Sequence, residues 1–283
     1  MHPSRLAWAS PASHAKRSTR RAWASLLGLA IAGSAAAQST SDEIAKYRAM
    51  LADGNPAELV EAQGEALWTT KRGPRQATLE GCDLGKGPGV VAGAYAELPR
   101  YFKDTGKVMD AESRLVHCMV TLQGLERADI VRKPFSEQGE RATDMEALAA
   151  YVAAASRGAA IKVPQQHAEE KAAYARGKQA FYYRAGPYDF SCASCHSKDN
   201  QRIRLQDLPN LQQAAASRGA FSSWPAYRVS QGAVRTMQWR MADCFRQQRF
   251  PQLDYLSQAS IDLITYLGVN AKGGEMAAPG LKR

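Results

Sequence analysis

The segment FSCASCHSKDN, residues 190–200, contains Cys192-x-x-Cys195-His196. Two thiols three positions apart reach the two vinyl groups of one porphyrin and form thioethers, and the adjacent imidazole is carried under the iron as proximal ligand. The pattern is the attachment sequence of a c-type haem, so this part of the chain must fold around a flat, largely apolar macrocycle. A zinc site would need two further ligands, and the chain has no second CxxC and no HxxxH. A thioredoxin-like redox pair would stand at a strand–helix junction, whereas the preceding residues 169–184, EEKAAYARGKQAFYYR, have helical character.

The surroundings predict a small cytochrome c fold. Near the end, SQASIDLITYLG (257–268) places Ile261, Ile264 and Leu267 at helical spacing, with Ser257 or Ser260 able to cap its start and Gly268 able to end it. A first and a last helix that cross, with haem enclosed between them, is the expected arrangement, and no strands are evident.

The earlier half holds a degraded copy of this unit. GEALWTTKRGP (64–74) aligns without a gap on GKQAFYYRAGP (177–187) at an offset of 113, matching Gly64 with Gly177, Trp68 with Phe181, and Gly73-Pro74 with Gly186-Pro187. At that offset Cys82 falls on Cys195, but Leu79 stands for Cys192 and Asp83 for His196. Leucine and aspartate replace neither a thioether nor an imidazole, so the first unit is expected to hold no haem. The closing segments EALAAYVAAASRG (146–158) and DLITYLGVNAKGG (262–274) correspond as well, with Tyr151 opposite Tyr266. The expected class is therefore mainly α, with two tandem cytochrome c-like domains, the first (38–160) degenerate and haemless and the second (161–283) binding haem.

Residues 1–37 read as an export signal. Lys16, Arg17, Arg20 and Arg21 precede the apolar run WASLLGLAIAGSAAA, and Ala35-x-Ala37 offers small residues to a signal peptidase. The run is short and rich in small residues for a membrane span, and the residues expected after a twin-arginine pair are missing, which favours ordinary secretion to a bacterial periplasm. The leader also accounts for much of the net charge of +10, because the remainder has 32 Lys/Arg against 27 Asp/Glu. No long basic run or basic–aromatic stripe is left, which argues against nucleic-acid binding, while a local arginine cluster for a small anion remains compatible with the composition.

Five cysteines then have to be placed in an oxidising compartment. Cys192 and Cys195 are assigned to haem. RLVHC (114–118) and RMADC (240–244) share Arg-x-x-x-Cys between the haem-motif region and the last helix of each unit, where a cytochrome places its second axial ligand. In the haemless unit Cys82 and Cys118 are thus two neighbouring thiols, which most simply form a disulfide. Cys244 is left unpaired. If residues 235–246 are helical, Arg240 lies one turn from Cys244 on the same face, and its guanidinium favours the thiolate, as would a ferric iron. Met237 and Met241 are the alternative iron ligands, with Cys244 then a packing residue. The loop GKGPG (85–89) is turn-rich and lacks the GK[ST] of a phosphate cradle, and His117 and His167 read as surface or packing residues.

The leader, the degenerate first unit, the C-terminal CxxCH and RMADCFRQQRFP (240–251) together resemble the SoxA family, the catalytic cytochrome subunits of thiosulfate-oxidising SoxAX complexes, in its monohaem form. The resemblance spans the mature chain. It implies that Cys244 is the active-site cysteine and a haem-iron ligand opposite His196, often persulfidated, and that Arg240 is the active-site arginine. It also implies one covalent haem c, a SoxX-like monohaem cytochrome c as heterodimer partner, and a SoxYZ-like sulfur carrier protein whose cysteine is joined to thiosulfate with release of two electrons. Two other functions remain in view. One is a His/Met-ligated electron-transfer cytochrome; the other is a non-catalytic docking subunit.

Overall fold

The computed structural model describes residues 54–203 and 206–282, so the expected leader 1–37 lies outside the described residues. The first unit begins with helix α1 (Ala57–Thr69), followed by a glycine-rich loop and a 3-10 turn at Tyr95–Glu97. The hairpin β1 (Arg100–Phe102)–β2 (Lys107–Met109) then leads into α2 (Ala111–Gln123), the short α3 (Arg127–Arg132) and α4 (Asp144–Ala154). The second unit repeats the order. It comprises α5 (Ala168–Tyr182), the haem-motif turn α6 (Cys192–His196), a two-residue hairpin β3 (Arg202–Ile203)–β4 (Gln206–Asp207) and α7 (Ala214–Phe221). After these come the hairpin β5 (Ala226–Arg228)–β6 (Ala233–Arg235), α8 (Met237–Gln247), α9 (Gln258–Asn270) and β7 (Gly280–Lys282). Strand β7 lies parallel to β5, with Arg228 in register with Lys282, making a three-stranded sheet.

The repeat read from the sequence is a repeat in space. Helix α1 packs on α4 and α5 on α9, the first and last helices of their units. The matched glycines sit at these crossings. A Cβ on Gly64 would fall 2.0 Å from the Ala147 carbonyl oxygen, and one on Gly177 would fall 1.9 Å from that of Asp262. Each crossing is walled by the matched aromatics, Trp68 against Tyr151 at 6.0 Å and Phe181 against Tyr266 at 5.1 Å between ring centroids. Gly73 and Gly186 both take left-handed φ, +68° and +73°, and each abuts a carbonyl oxygen, of Gln123 or Arg249, at or just past the end of the helix that bears Cys118 or Cys244. Replacing Gly177 with alanine should force α5 and α9 apart, lowering stability by about 3 kcal/mol or more in a thermal or denaturant melt. Gly219→Ala in α7, where the added carbon meets nothing within 4 Å, should leave stability unchanged or slightly raised.

Two expectations need correction. Strands exist among the described residues, as hairpins of two or three residues per strand, too short for alternation to be read from sequence. Gly268 does not end the last helix, which Ser257 caps and which continues to Asn270. Its lack of a side chain serves packing instead, because a Cβ there would come 2.7 Å from Val163 and 3.0 Å from Phe221.

The two halves are joined by buried polar contacts. Arg235 at the end of β6 forms a 2.6 Å ion pair with Glu146 of α4, both side chains almost fully buried, and also donates to Ser136. Glu146 accepts in addition from the Thr143 and Ser136 amides, so no part of this charge is left uncompensated. Gln238 of α8 donates to Asp110, the N-cap of α2, at 2.6 Å.

Candidate active site

In the first unit, the residues that match the haem motif are engaged with other protein groups. Cys82 and Cys118 form a disulfide that spans 36 residues, with Cα atoms 5.6 Å apart, and both residues are buried in the core beside Leu79. Asp83, at the position matching His196, accepts from the Gly85 and Gly87 amides at 2.6 and 2.9 Å and so folds the GKGPG loop. Arg114 lies buried, donating from Nε to the Asp83 carbonyl at 2.7 Å and pairing with Asp104, with its guanidinium 4.1 Å from the Phe102 ring centroid. His117 stands beside the same Asp104, and His167 caps α5 while stacking on Tyr101. Both histidines thus have structural partners, as expected.

In the second unit three cysteines are free, Cys192, Cys195 and Cys244. Ser191 caps the α6 turn, and a reciprocal bond with Ser194 fixes the backbone that displays the first two thiols. His196 Nδ1 lies 2.9 Å from the Pro209 carbonyl oxygen, which makes Nδ1 the protonated nitrogen and leaves the Nε2 lone pair available. Burial holds the imidazole below its usual pKa, the Pro209 bond opposes this, and nearby Arg240 reinforces it, so the ring is a neutral donor at pH 7.

Helix α8 brings the remaining groups. Thr236 caps it by accepting from the Trp239 amide, and Met237 and Met241 turn into the core. Cys244 lies on this helix close enough to the motif thiols to interact with them electrostatically. Burial pushes the Cys192 thiol up to about 12, and Cys244 and Cys195 add to that rise. Arg240 bonds weakly to Asp243, Nη1 to Oδ2 at 3.4 Å, while Arg246 and Gln247 donate to the same carboxylate at 2.7 Å. Arg240 lowers the pKa of Cys244, as expected from its position. Burial, the largest influence, together with Asp243 and Cys195, outweighs Arg240 and Arg228 and leaves the thiol raised. A metal centre would shift that balance toward the thiolate.

The donor set fits a c-type haem. It provides two free thiols on one capped turn, a neutral imidazole oriented through Nδ1, and a third sulfur brought near by another helix. Among the described residues no group of three or more His, Cys, Asp or Glu side chains could hold a bare metal ion instead. Arg246, its side chain 75% exposed, and Arg249, stacked 5.7 Å from the Tyr188 ring, have other partners. The residue missed from sequence is Arg228 of β5, which lies over the Trp239 ring at 6.0 Å and within electrostatic range of Arg240, Asp243 and Cys244.

A family model described as SoxA/TsdA, cytochrome c domain, matches the chain twice, at residues 63–161 and 176–276. The L-cysteine S-thiosulfotransferase subunit SoxA of Hydrogenophilus thermoluteolus is 52% identical over 240 residues, covering 85% of this chain and 87% of that protein. The chain belongs to the SoxA family. A SoxA of the same description from Hydrogenobacter thermophilus is 29% identical across 90% of this chain and 94% of its own length. The fold matches the crystal structure of SoxXA from P. pantotrophus with a TM-score of 0.69, covering 84% of each chain at 24% identity. The two cytochrome c domains of this SoxA-family chain thus correspond to the two halves described above.

Proposed function

We propose that this chain is an L-cysteine S-thiosulfotransferase subunit that, paired with a SoxX-like monohaem cytochrome c, joins thiosulfate to a cysteine of a SoxYZ-like sulfur carrier, with two electrons passed one at a time to cytochrome c. The kinship with SoxA subunits supports the reaction class, and the observation that carries the site assignment is Cys244, free and beside both the CxxCH thiols and Arg240. The chemistry balances as carrier thiol plus thiosulfate dianion giving carrier cysteine S-thiosulfonate, one proton and two electrons.

Cys192 and Cys195 would hold one haem c through thioethers, and His196 Nε2 and Cys244 Sγ would be the protein donors to its iron. That group supplies redox-active iron next to the reacting sulfur. Arg240 binds the dianion through charge-assisted hydrogen bonds, which its planar fork directs at the sulfonate oxygens. Cys244 Sγ bonds to the outer sulfur of thiosulfate, with loss of the thiol proton and two electrons to two oxidised cytochromes. The carrier thiolate then displaces Cys244 by attack on that sulfur, returning the Cys244 thiolate. We place the division between a haemless 38–160 and a haem-binding 161–283, the leader 1–37 directing the chain to the periplasm. No helix among the described residues is long and apolar enough to cross a membrane.

The holoprotein should carry a single haem equivalent by quantification against protein mass. Combined with the partner cytochrome and carrier, it should reduce cytochrome c only when thiosulfate is added. Two haem equivalents would contradict the haemless first unit. Repeated turnover of cytochrome c reduction without carrier thiol, beyond the two electrons of a single Cys244 adduct, would return the chain to a simple electron carrier.

A further inference from the structure

The hairpins β1–β2 and β5–β6 correspond residue for residue at the same offset of 126 that relates Arg114 to Arg240 and Cys118 to Cys244. Phe102 of the haemless unit therefore corresponds to Arg228. In the first unit the arginine of Arg-x-x-x-Cys rests on an aromatic face and is spent on Asp83 and Asp104. In the second, the residue in the place of Phe102 is Arg228, whose guanidinium lies 6.0 Å from the Trp239 ring centroid and within electrostatic range of Arg240.

The protein's own groups do not offset this charge. Arg228 is about half buried, and its Nε is fully shielded from solvent with no hydrogen-bond partner among the described residues. Burial and the neighbouring Arg240 and Arg235 all act against its charge, while Asp243 and Cys244 favour it. Arg235 is neutralised by Glu146, and Asp243 is the carboxylate already shared by Arg240, Arg246 and Gln247. Positive charge is in surplus beside Cys244, and a buried N–H donor there awaits an acceptor. A small divalent oxyanion supplies both the missing charge and the missing oxygen atoms.

We propose that Arg228 is a second thiosulfate-binding residue, which with Arg240 grips the sulfonate oxygens from two sides and leaves the outer sulfur directed at Cys244. The assignment rests on the proposed sulfur transfer at Cys244 and adds to it the element that orients the substrate. Two guanidinium forks fix the tilt of a tetrahedral sulfonate, which one fork cannot do.

The test is steady-state kinetics of the holoprotein with partner cytochrome and carrier, in Arg228→Phe, Arg228→Lys and Cys244→Ala. Arg228→Phe restores the side chain that the first unit carries here and removes the charge. Its KM for thiosulfate should rise about ten- to a hundredfold, with kcat altered much less and with the haem spectrum and melting midpoint of the parent. Arg228→Lys should fall between the two. Sulfate, used as a competitive probe of the oxyanion site, should inhibit both variants more weakly, in the same order. Parental KM and parental sulfate inhibition in Arg228→Phe, with Cys244→Ala inactive, would overturn the role of Arg228 alone. If Arg228→Phe fails to fold, the same two parental values in Arg228→Lys would overturn it. Full activity in Cys244→Ala would instead overturn the sulfur-transfer reading beneath it.

Discussion

Cys244→Ala should lose thiosulfate-dependent turnover by about a thousandfold or more while still carrying covalent haem. The chain has five cysteines, of which Cys82 and Cys118 are bonded to each other and Cys192 and Cys195 share the capped CxxCH turn. Cys244 is the remaining thiol, so no other cysteine of the chain can take over the sulfur. Haem attachment depends on Cys192, Cys195 and His196, which the substitution leaves in place. The visible and EPR spectra should nonetheless change, because the proposed sulfur donor to iron is removed. Met241→Ala should leave those spectra as they are, since Met241 packs in the core of α8. Arg240→Lys keeps the charge but loses the fork, so activity should fall with the ligation spectrum largely retained.

The disulfide of the first unit should carry a large share of the stability. Substituting both Cys82 and Cys118 with alanine releases a loop of 36 residues' separation, which costs about 4 kcal/mol by chain entropy. The loss should exceed that figure, because Cys82 and Cys118 are 1% and 3% exposed and two buried sulfur atoms vanish from the core. The melting midpoint should drop by roughly 10 °C or more. Non-reducing peptide mapping of the parent should find the two residues joined, and finding both alkylatable without reductant would remove the basis of the prediction.

What could be read from the sequence was whatever the chemistry or packing forbids to vary freely. CxxCH is legible because two vinyl groups and one iron dictate its spacing. Gly64 and Gly177 are legible as a pair because a carbonyl oxygen occupies the space of any Cβ at both crossings. The Cys82–Cys118 pair followed from the position of two thiols in a unit that lacks an imidazole. The hairpins were not legible, since a strand of three residues shows no alternation to separate it from loop. Gly268 misled because a glycine near a helix end fits a cap and a close contact equally well, and only the approach of Val163 and Phe221 distinguishes them. Arg228 escaped because an arginine two residues into a short strand looks like solvent-facing charge. Its meaning came from Phe102 at the same place in the other unit and from an Nε closed off from water.

The central claim, that Cys244 carries sulfur during the reaction, is open to one direct measurement. The holoprotein is mixed with thiosulfate and oxidised partner cytochrome without carrier, quenched in acid and mapped by peptide mass spectrometry. A thiosulfate-derived adduct on the peptide holding Cys244, removed when carrier thiol is added before the quench, is the predicted result. An unmodified Cys244 peptide from a preparation that turns over once carrier is supplied would contradict it.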